Sequence, residues 1–322
     1  MTAPGRASVA KRLLLGGRVQ GVGFRPFVFR LAHEFGLSGF VRNLKGEVEV
    51  VVFATPAIVD DFTRALIERA PPLAQPKVLE VRECPAPRAS GFEIAASSAA
   101  DSPRVSVPPD FFACSDCLGE LRDANDRRYR YPFINCTQCG PRYTLIRDLP
   151  YDRPNTSMAC FPLCEDCQRE YRDPLDRRFH AEPVACPVCG PHLRYVEPGR
   201  PAIDRDEDSL LAAVASLRAG GIVAARGIGG YHLLCDARDE PAVRRLRDRK
   251  HRPDKPLAVM YPLSGPDGLQ AMAEDLLLGE LERSAIADPA RPIVLVARSD
   301  GCKLAPSVAP GLSEVGVFLP YS

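Results

Sequence analysis

Paired cysteines are the feature that most constrains how this 322-residue chain folds. Cys114 and Cys117 are separated by two residues, and a second pair with the same spacer follows after eighteen more. The arrangement recurs fifty residues further on, which gives two equal sets: Cys114, Cys117, Cys136 and Cys139, then Cys164, Cys167, Cys186 and Cys189. A two-residue spacer lets both thiolates of a turn reach one ion, and two such turns supply a tetrahedral zinc shell. The sequence therefore predicts two structural zinc ions, each held by four cysteines.

The repeat extends beyond the cysteines, so it is far more specific than a single pair. The run Asp126-Arg127-Arg128-Tyr129 of the first copy matches Asp176-Arg177-Arg178-Phe179 of the second, and each copy closes with Cys-Gly-Pro. We expect each copy to bind its own ion, although the spacing also permits a crossed assignment in which the outer pairs share one. A disulfide framework is disfavoured because the chain is long and shows no export signal. We therefore expect reduced thiols and a cytoplasmic protein.

Composition limits the class of protein. The length suits two or three domains, and a hydrophobic content of 45% is enough for well-packed cores. The formal net charge is +1, so no strong overall field attracts nucleic acid or an acidic membrane surface. No apolar run approaches the ~18 residues of a membrane span. We expect no membrane partner, and the balance of charge disfavours nucleic acid.

The N-terminal segment, residues 8–97, has the pattern of one α+β domain. A strand over 11–19 leads through a glycine-rich turn into a helix, whose apolar stripe begins at Phe24 and ends at Phe35. Two strand-like segments, a second helix opened by Thr55 and Pro56, and further extended segments follow. The order β-α-β-β-α-β predicts a ferredoxin-like fold.

The glycine-rich turn is a candidate anion site. Free backbone N–H groups at a helix start point outward, and the helix dipole adds positive potential. Arg25, on the first helical turn, is placed to aim its planar guanidinium at the same anion. Asn43 ends a neighbouring strand, from which its amide can hold a water. The predicted loop residues are Gln20, Gly21, Val22, Gly23 and Phe24.

The runs 17–25 and 39–43 closely resemble the signature of the acylphosphatase family. That resemblance implies that Arg25 binds a phosphoryl group and that Asn43 orients the attacking water. No side-chain nucleophile is needed, because positioning and charge stabilisation can carry phosphoryl transfer. The catalytic residues are therefore expected to be Arg25 and Asn43.

The cysteine-rich segment is expected to form a small zinc-finger domain over residues 104–195. An extended, proline-containing linker over 103–109 precedes it. The few apolar residues of the cysteine-rich segment do not suffice for a core, so metal binding should supply the folding energy. All-thiolate shells leave no open position for a substrate, which indicates a structural role.

The third segment, residues 203–322, has an α/β pattern. We expect Ser209 to cap a helix, a buried strand over 222–225 to follow, and a further helix to start at Asp239. A basic run closes that helix. Arg244 and Arg245 fit a solvated helix face, whereas Lys250, Arg252 and Lys255 lie beside prolines, where a rigid loop can present cations to a polyphosphate.

This segment resembles the YrdC/Sua5 family of ATP-binding α/β proteins, which form carbamoyl- or carboxy-type adenylates. The resemblance lies in Gly220-Gly221, the glycine-rich run up to His232, and the run 250–260. It implies that ATP with Mg²⁺ is a substrate. Lys250, Arg252 and Lys255 are then expected to contact the nucleotide phosphates or the substrate.

The order of the three segments resembles the HypF family, the carbamoyltransferases of [NiFe]-hydrogenase maturation. The resemblance implies that carbamoyl phosphate is cleaved at the first domain and that its carbamate is joined to ATP as carbamoyl adenylate. It also implies HypE as partner, whose C-terminal cysteine accepts the carbamoyl group.

The family pattern continues past residue 322. We therefore expect a truncated product, a fragment or half of a split protein, for which a further chain would supply the C-terminal half. Acylphosphatase activity should survive in this portion, whereas adenylation needs parts beyond it. Two alternatives remain: a stand-alone acylphosphatase with structural fingers, and a module that binds RNA or protein, for which salt-dependent RNA binding would be the sign.

Overall fold

The computed structural model describes residues 8–44, 46–86, 91–96, 110–148, 151–227 and 229–321. The chain divides into two compact units, Met1–Gly190 and Pro191–Ser322. The linker predicted over 103–109 lies outside the described residues. Within the described ranges, no helix is both long and apolar enough to cross a lipid bilayer.

The first unit begins with a five-stranded sheet and two helices. In chain order these elements are β1 (Val9–Arg18), α1 (Phe24–Glu34), β2 (Ser38–Asn43), β3 (Val48–Ala54), α2 (Pro56–Glu68), β4 (Gln75–Glu83) and β5 (Phe92–Ile94). The strands lie in the order β4-β1-β3-β2-β5, in which β1 is antiparallel to β3 and β4. Strand β5 runs parallel to β2 and adds a fifth strand. The ferredoxin-like prediction is confirmed.

The two helices pack on the sheet through the apolar stripes that the sequence shows. Leu13 and Leu15 of β1 are fully buried at alternate positions, as expected for a strand with one covered face. Val28 and Leu31 of α1 and Phe62 of α2 pack against them in the same core. Each such side chain contributes roughly 1.5–3 kcal/mol through burial. This core fixes the end of β1 and the start of α1, where the glycine loop lies.

The rest of the first unit contains two short helices that follow the cysteine repeat. Helix α3 (Ser115–Arg122) begins directly after Cys114, and α4 (Glu165–Arg172) begins directly after Cys164. The two copies share backbone geometry beyond the helices, because Arg130 and His180, fifty positions apart, both have left-handed φ angles, of 55° and 53°. The sequence repeat is therefore a structural repeat.

The second unit is α/β with two small sheets. Its elements are α5 (Asp206–Arg218), β6 (Val223–Gly227), β7 (Gly230–Leu234), α6 (Glu240–Lys250), β8 (Val259–Met260), α7 (Gln270–Ala273), α8 (Glu280–Ala287), β9 (Val294–Ala297) and β10 (Glu314–Phe318). Strands β6 and β7 form an antiparallel hairpin, and the other sheet has the order β8-β10-β9. Met272, Ile286, Val315 and Val317 are central to its core.

Two sequence predictions about the helices and strands of this unit are wrong. Ser209 does not cap its helix, because α5 begins three residues earlier. Three acidic residues occupy the first turn of α5, where their negative charge stabilises the positive end of the helix dipole. Ser209 is buried instead and donates a hydrogen bond of 2.8 Å to the Ile203 carbonyl. The strand predicted over 222–225 is not buried either. Within the described residues, β6 pairs with β7 alone, and Ala224 and Arg226 are exposed.

Candidate phosphate site and metal centres

The eight repeat cysteines form two separate clusters. The four sulfur atoms of each copy lie within 4.8 Å of one another, which fits one ion per copy rather than the crossed assignment. Every cysteine of the two clusters is a free thiol, and none of them is exposed. Buried, convergent thiols with no disulfide fit zinc, which takes tetrahedral thiolate shells. The two Cys₄ sites would serve as structural zinc sites.

Arginines of the first finger hold the helix of the second. Arg127 donates to Glu170 at 2.7 Å, and Arg128, whose side chain is 2% exposed, donates to the same carboxylate at 3.0 Å. Arg127 also reaches the sulfur of Cys167 at 3.2 Å. Burial acts to raise the pKa of Glu170, but the hydrogen bonds from Arg128 and Arg127 outweigh it and lower that pKa to about 2. The pair stays ionised over the physiological range.

The second finger repeats these contacts in the opposite direction. Arg177 donates to Glu120 at 3.2 Å, and the buried Arg178 pairs with the same carboxylate. Arg177 reaches the sulfur of Cys117 at 3.2 Å. A zinc ion with four thiolates carries net negative charge, so guanidinium groups from the opposite finger neutralise it while fixing the ligands. The two fingers are thus bound to each other by reciprocal arginine–glutamate pairs.

The glycine loop between β1 and α1 lies against the first finger. Gly21 and Gly23 have left-handed φ angles of 68° and 73°. A Cβ on Gly21 would lie 2.6 Å from Pro141, and one on Gly23 would lie 3.0 Å from Thr137. Glycine is required at both positions for backbone conformation and for this close approach.

The predicted anion-binding residues occupy three kinds of position. Gly21, Gly23, Phe24 and Arg25 line a small, partly open pocket. Val22 points into the core and is fully buried. The Gln20 side chain is not directed at a ligand: its amide donates to the carbonyls of Leu44 and Glu47, at 2.6 and 2.9 Å, and ties the loop to the β2–β3 turn.

Arg25 and Asn43 both carry unused hydrogen-bonding capacity. The half-buried guanidinium of Arg25 has no hydrogen bond or ion pair within the described part of the chain. Asn43, the last residue of β2, is 1% exposed, and its Oδ1 lacks a partner among the described residues. An unpaired buried acceptor costs about 1–3 kcal/mol, which a bound water would offset. Asn43 does not line the pocket itself.

The opposite wall of the pocket comes from the finger region, which sequence reasoning did not assign to the site. Its residues there are Cys136, Thr137, Gly140, Tyr151, His180, Ala181, Glu182 and Pro183. A signal was present in the repeat. The second copy reads His180-Ala181-Glu182 where the first reads Arg130-Tyr131-Pro132, so it departs from the shared pattern where it meets the loop.

Two titratable groups of that wall are shifted by burial and by Arg25. The Glu182 carboxyl is 1% exposed, and burial raises its pKa to about 7, against the opposing effects of a Tyr171 hydrogen bond and the Arg25 charge. Burial, with the repulsion of Arg25, lowers the pKa of His180 to about 4. His180 is therefore neutral near pH 7, while Glu182 lies close to its titration midpoint.

In the second unit the basic loop after α6 is shaped by its own arginine. Arg252 donates to the carbonyls of Lys255 and Pro256, at 3.2 and 2.7 Å, so its guanidinium is largely committed to the loop. Lys250 and Lys255 are exposed, and their ammonium groups have no partner within the described ranges. The structure thus leaves the two lysines, rather than the arginine, available to an anion.

Arg247 of α6, which the sequence did not single out, also holds this loop. Its side chain is nearly buried and donates to the carbonyls of Arg252, Pro253 and Lys255 at 2.7, 3.0 and 3.2 Å. The prediction that Arg245 lies on a solvated face is wrong, because it is half-buried and donates to the Gly220 carbonyl. Arg244 is exposed and pairs with Glu240, as expected.

Three family models match the chain. They are acylphosphatase over residues 11–94, the HypF finger over 113–146 and 163–196, and the Sua5/YciO/YrdC model, described as telomere recombination, over 215–322. Part of the chain is also 36% identical over 88 residues to the acylphosphatase of Archaeoglobus fulgidus, 98% of which is covered.

Long relatives cover nearly all of the chain. It is 51% identical over 307 residues to carbamoyltransferase HypF of Synechocystis sp. and 49% identical over 320 residues to carbamoyltransferase HypF2 of Cupriavidus necator. These alignments take in 95% and 98% of this chain but 39% of each relative. The chain therefore spans about two fifths of the length of the curated relatives it matches.

Solved structures give the same result. A crystal structure of full-length HypF in the phosphate- and nucleotide-bound form is 42% identical, with a TM-score of 0.89, over 98% of this chain and 40% of that one. The crystal structure of T. kodakarensis HypF, also 42% identical, has a TM-score of 0.84 over 97% of this chain and 39% of that one.

Proposed function

We propose, for a chain that belongs to the HypF family, that its first unit hydrolyses carbamoyl phosphate at the glycine loop. Water attacks phosphorus, the P–O bond to the carbamoyl group breaks, and carbamate leaves with the bonding electron pair. The products are carbamate and inorganic phosphate. The observation that carries the proposal is the pocket in which two left-handed glycines lie together with the guanidinium of Arg25, which has no partner among the described residues.

Each loop residue has a distinct role in this proposal. Arg25 binds the phosphoryl oxygens through its planar fork and stabilises the charge that develops on them. Backbone N–H groups of residues 20–24 complete the anion site, while the Gln20 side chain braces the loop. Asn43 orients the attacking water through the Oδ1 that has no protein partner in the described chain.

For the second unit we propose ATP binding at the loop after α6. Lys250 and Lys255 would contact the phosphates of Mg²⁺-bound ATP, and Arg252 with Arg247 would keep the loop in shape. Carbamate attacks the α-phosphorus, which gives carbamoyl adenylate and releases pyrophosphate. In the whole family member, the carbamoyl group would then pass to the C-terminal cysteine of HypE. The relative solved in a nucleotide-bound form supports nucleotide binding.

We propose three domains in this portion: an acylphosphatase-like domain over 8–97, the fingers over 104–195 and a YrdC/Sua5-like domain over 203–322. Zinc, held by the two cysteine clusters, would fold the fingers and take no part in the chemistry. Reduced clusters of this kind suit the cytoplasm.

The test is phosphate release from carbamoyl phosphate by the purified chain. We expect Arg25→Ala to lower kcat/KM by at least about a hundredfold, as when a charged group that stabilises the transition state is removed. Arg30→Ala is the matched control, because Arg30 lies exposed on the same helix and is expected to leave the rate unchanged. Equal activity in the two variants would contradict the proposed site.

A further inference from the structure

The phosphate pocket has an acceptor that the proposed hydrolysis does not use. Glu182 lines the pocket from the second finger and is 1% exposed. Its Oε2 accepts hydrogen bonds from the Arg153 backbone N–H at 2.7 Å and from the Tyr171 hydroxyl at 2.8 Å. Its Oε1 is buried and takes no hydrogen bond from any described residue. One oxygen is therefore fixed by the protein while the other is left for a donor.

No described residue beside this carboxyl donates a hydrogen bond to Oε1. His180, beside it in the wall, packs its ring against those of Tyr171 and Phe179, with centroids 5.1 and 4.5 Å apart. The Arg25 charge acts on the carboxyl, yet the described chain forms no ion pair between them. The equivalent position of the first finger is Pro132, which has no polar side-chain atom. The acceptor is thus particular to the second finger.

We propose that Glu182 determines the specificity of the site for a carbamoyl group: its free Oε1 accepts an N–H of the substrate's terminal amide, an inference that rests on the proposed hydrolysis of carbamoyl phosphate. Carbamoyl phosphate and acetyl phosphate have nearly the same shape. Carbamoyl phosphate has an NH₂ group at the position where acetyl phosphate has a methyl group. Acetyl phosphate would leave the buried Oε1 without a donor, which disfavours its binding. A site that forms a hydrogen bond to one substrate discriminates strongly against an analogue that lacks the donor. The second finger thereby adds selection to a loop that by itself recognises only the phosphoryl end.

Glu182→Gln tests this directly, because it keeps the shape and inverts the hydrogen bonding. The two donors of Arg153 and Tyr171 hold the side-chain oxygen at the Oε2 position, which leaves an NH₂ facing the substrate amide. We expect kcat/KM for carbamoyl phosphate to fall about tenfold or more, and that for acetyl phosphate to change less than about twofold. An equal fall for both substrates indicates a merely structural role and overturns the inference, as does no change for either.

The wild-type chain separates this inference from the function on which it rests. If it hydrolyses neither substrate, the proposed function fails and the inference with it. If it hydrolyses both with equal kcat/KM, the inference alone fails. Zinc content and circular dichroism check the fold of Glu182→Gln. Should that variant not fold, Tyr171→Phe decides, because it keeps the carboxylate and removes one of the two donors that hold Oε2 and so orient Oε1. A several-fold lower carbamoyl preference supports the inference, and an unchanged preference overturns it.

Discussion

The two fingers have one scaffold and two different outer surfaces. Both begin a helix directly after the first cysteine, and both place a left-handed residue, Arg130 or His180, at the same point. Each donates two arginines to a glutamate of the other, Glu170 or Glu120. They differ at that residue and just past it, where the second finger places the His180 imidazole and the Glu182 carboxyl in the pocket wall.

This difference teaches how a structural repeat acquires a function. The contacts that hold the fingers together lie on the repeated positions, so they are symmetric. The second finger instead lines the pocket with residues 180–183, where its sequence departs from that of the first. The first finger instead presses Thr137 and Pro141 against Gly23 and Gly21, which fixes the loop without adding a charge.

Loss of a zinc ligand should have the largest effect on both fingers. Cys167→Ser is expected to lower the zinc content from two ions per chain to one or none, because metal binding supplies on the order of 10 kcal/mol of folding energy. The arginines that join the two fingers couple their stabilities, so loss of zinc from one finger should also destabilise the other. Cys117→Ser in the first finger should therefore lower the zinc content in the same way. Elemental analysis and circular dichroism check this, and two ions retained in either variant would break the assignment.

The paired arginines offer a sharper comparison. Arg128→Ala and Arg178→Ala each leave a partly buried glutamate without its main partner, at a cost of roughly 3–5 kcal/mol. Because the two networks mirror each other, the two losses in the free energy of unfolding should agree within about 1 kcal/mol. Denaturant unfolding of the zinc-loaded chain measures both. A large loss for one arginine with none for the other would contradict the reciprocal arrangement.

A pH dependence should distinguish the second finger from the first. The pKa of Glu182 is raised to about 7 in the fold from an ordinary 4.5, so the folded chain holds a proton that the unfolded chain releases between these values. The free energy of unfolding therefore falls as pH rises from about 4.5 to about 7, by up to about 3 kcal/mol from this group. Glu182→Gln should remove that part of the fall, which the difference between variant and wild type at pH 5 and pH 7.5 measures. An identical pH profile in the two proteins would contradict the burial of an ionisable Glu182.

The sequence predicts what is set by local spacing. The two Cys₄ clusters follow from two-residue spacers, and the first sheet follows from the apolar stripe of α1 and the alternation in β1. Asn43 at a strand end and Arg25 on a first helical turn follow from the same periodicities.

What the sequence does not predict depends on distant segments meeting. Glu182 and the glycine loop are more than 150 residues apart, and only the fold places them on one pocket. Arg247 looked like one more charge of a basic helix, yet the carbonyls that surround it come from a later loop. Ser209 was a plausible cap by residue type, but the acidic turn before it starts the helix earlier.

The central claim is that residues 180–182 of the second finger form part of the phosphate site, whereas the equivalent residues 130–132 of the first finger do not. Nuclear magnetic resonance of the ¹⁵N-labelled, zinc-loaded chain, titrated with inorganic phosphate, tests it most directly. We predict saturable shifts at the amides of residues 21–25 and of His180 to Glu182, with none at Arg130 and Tyr131. Shifts confined to the loop, or equal in both fingers, would contradict the claim.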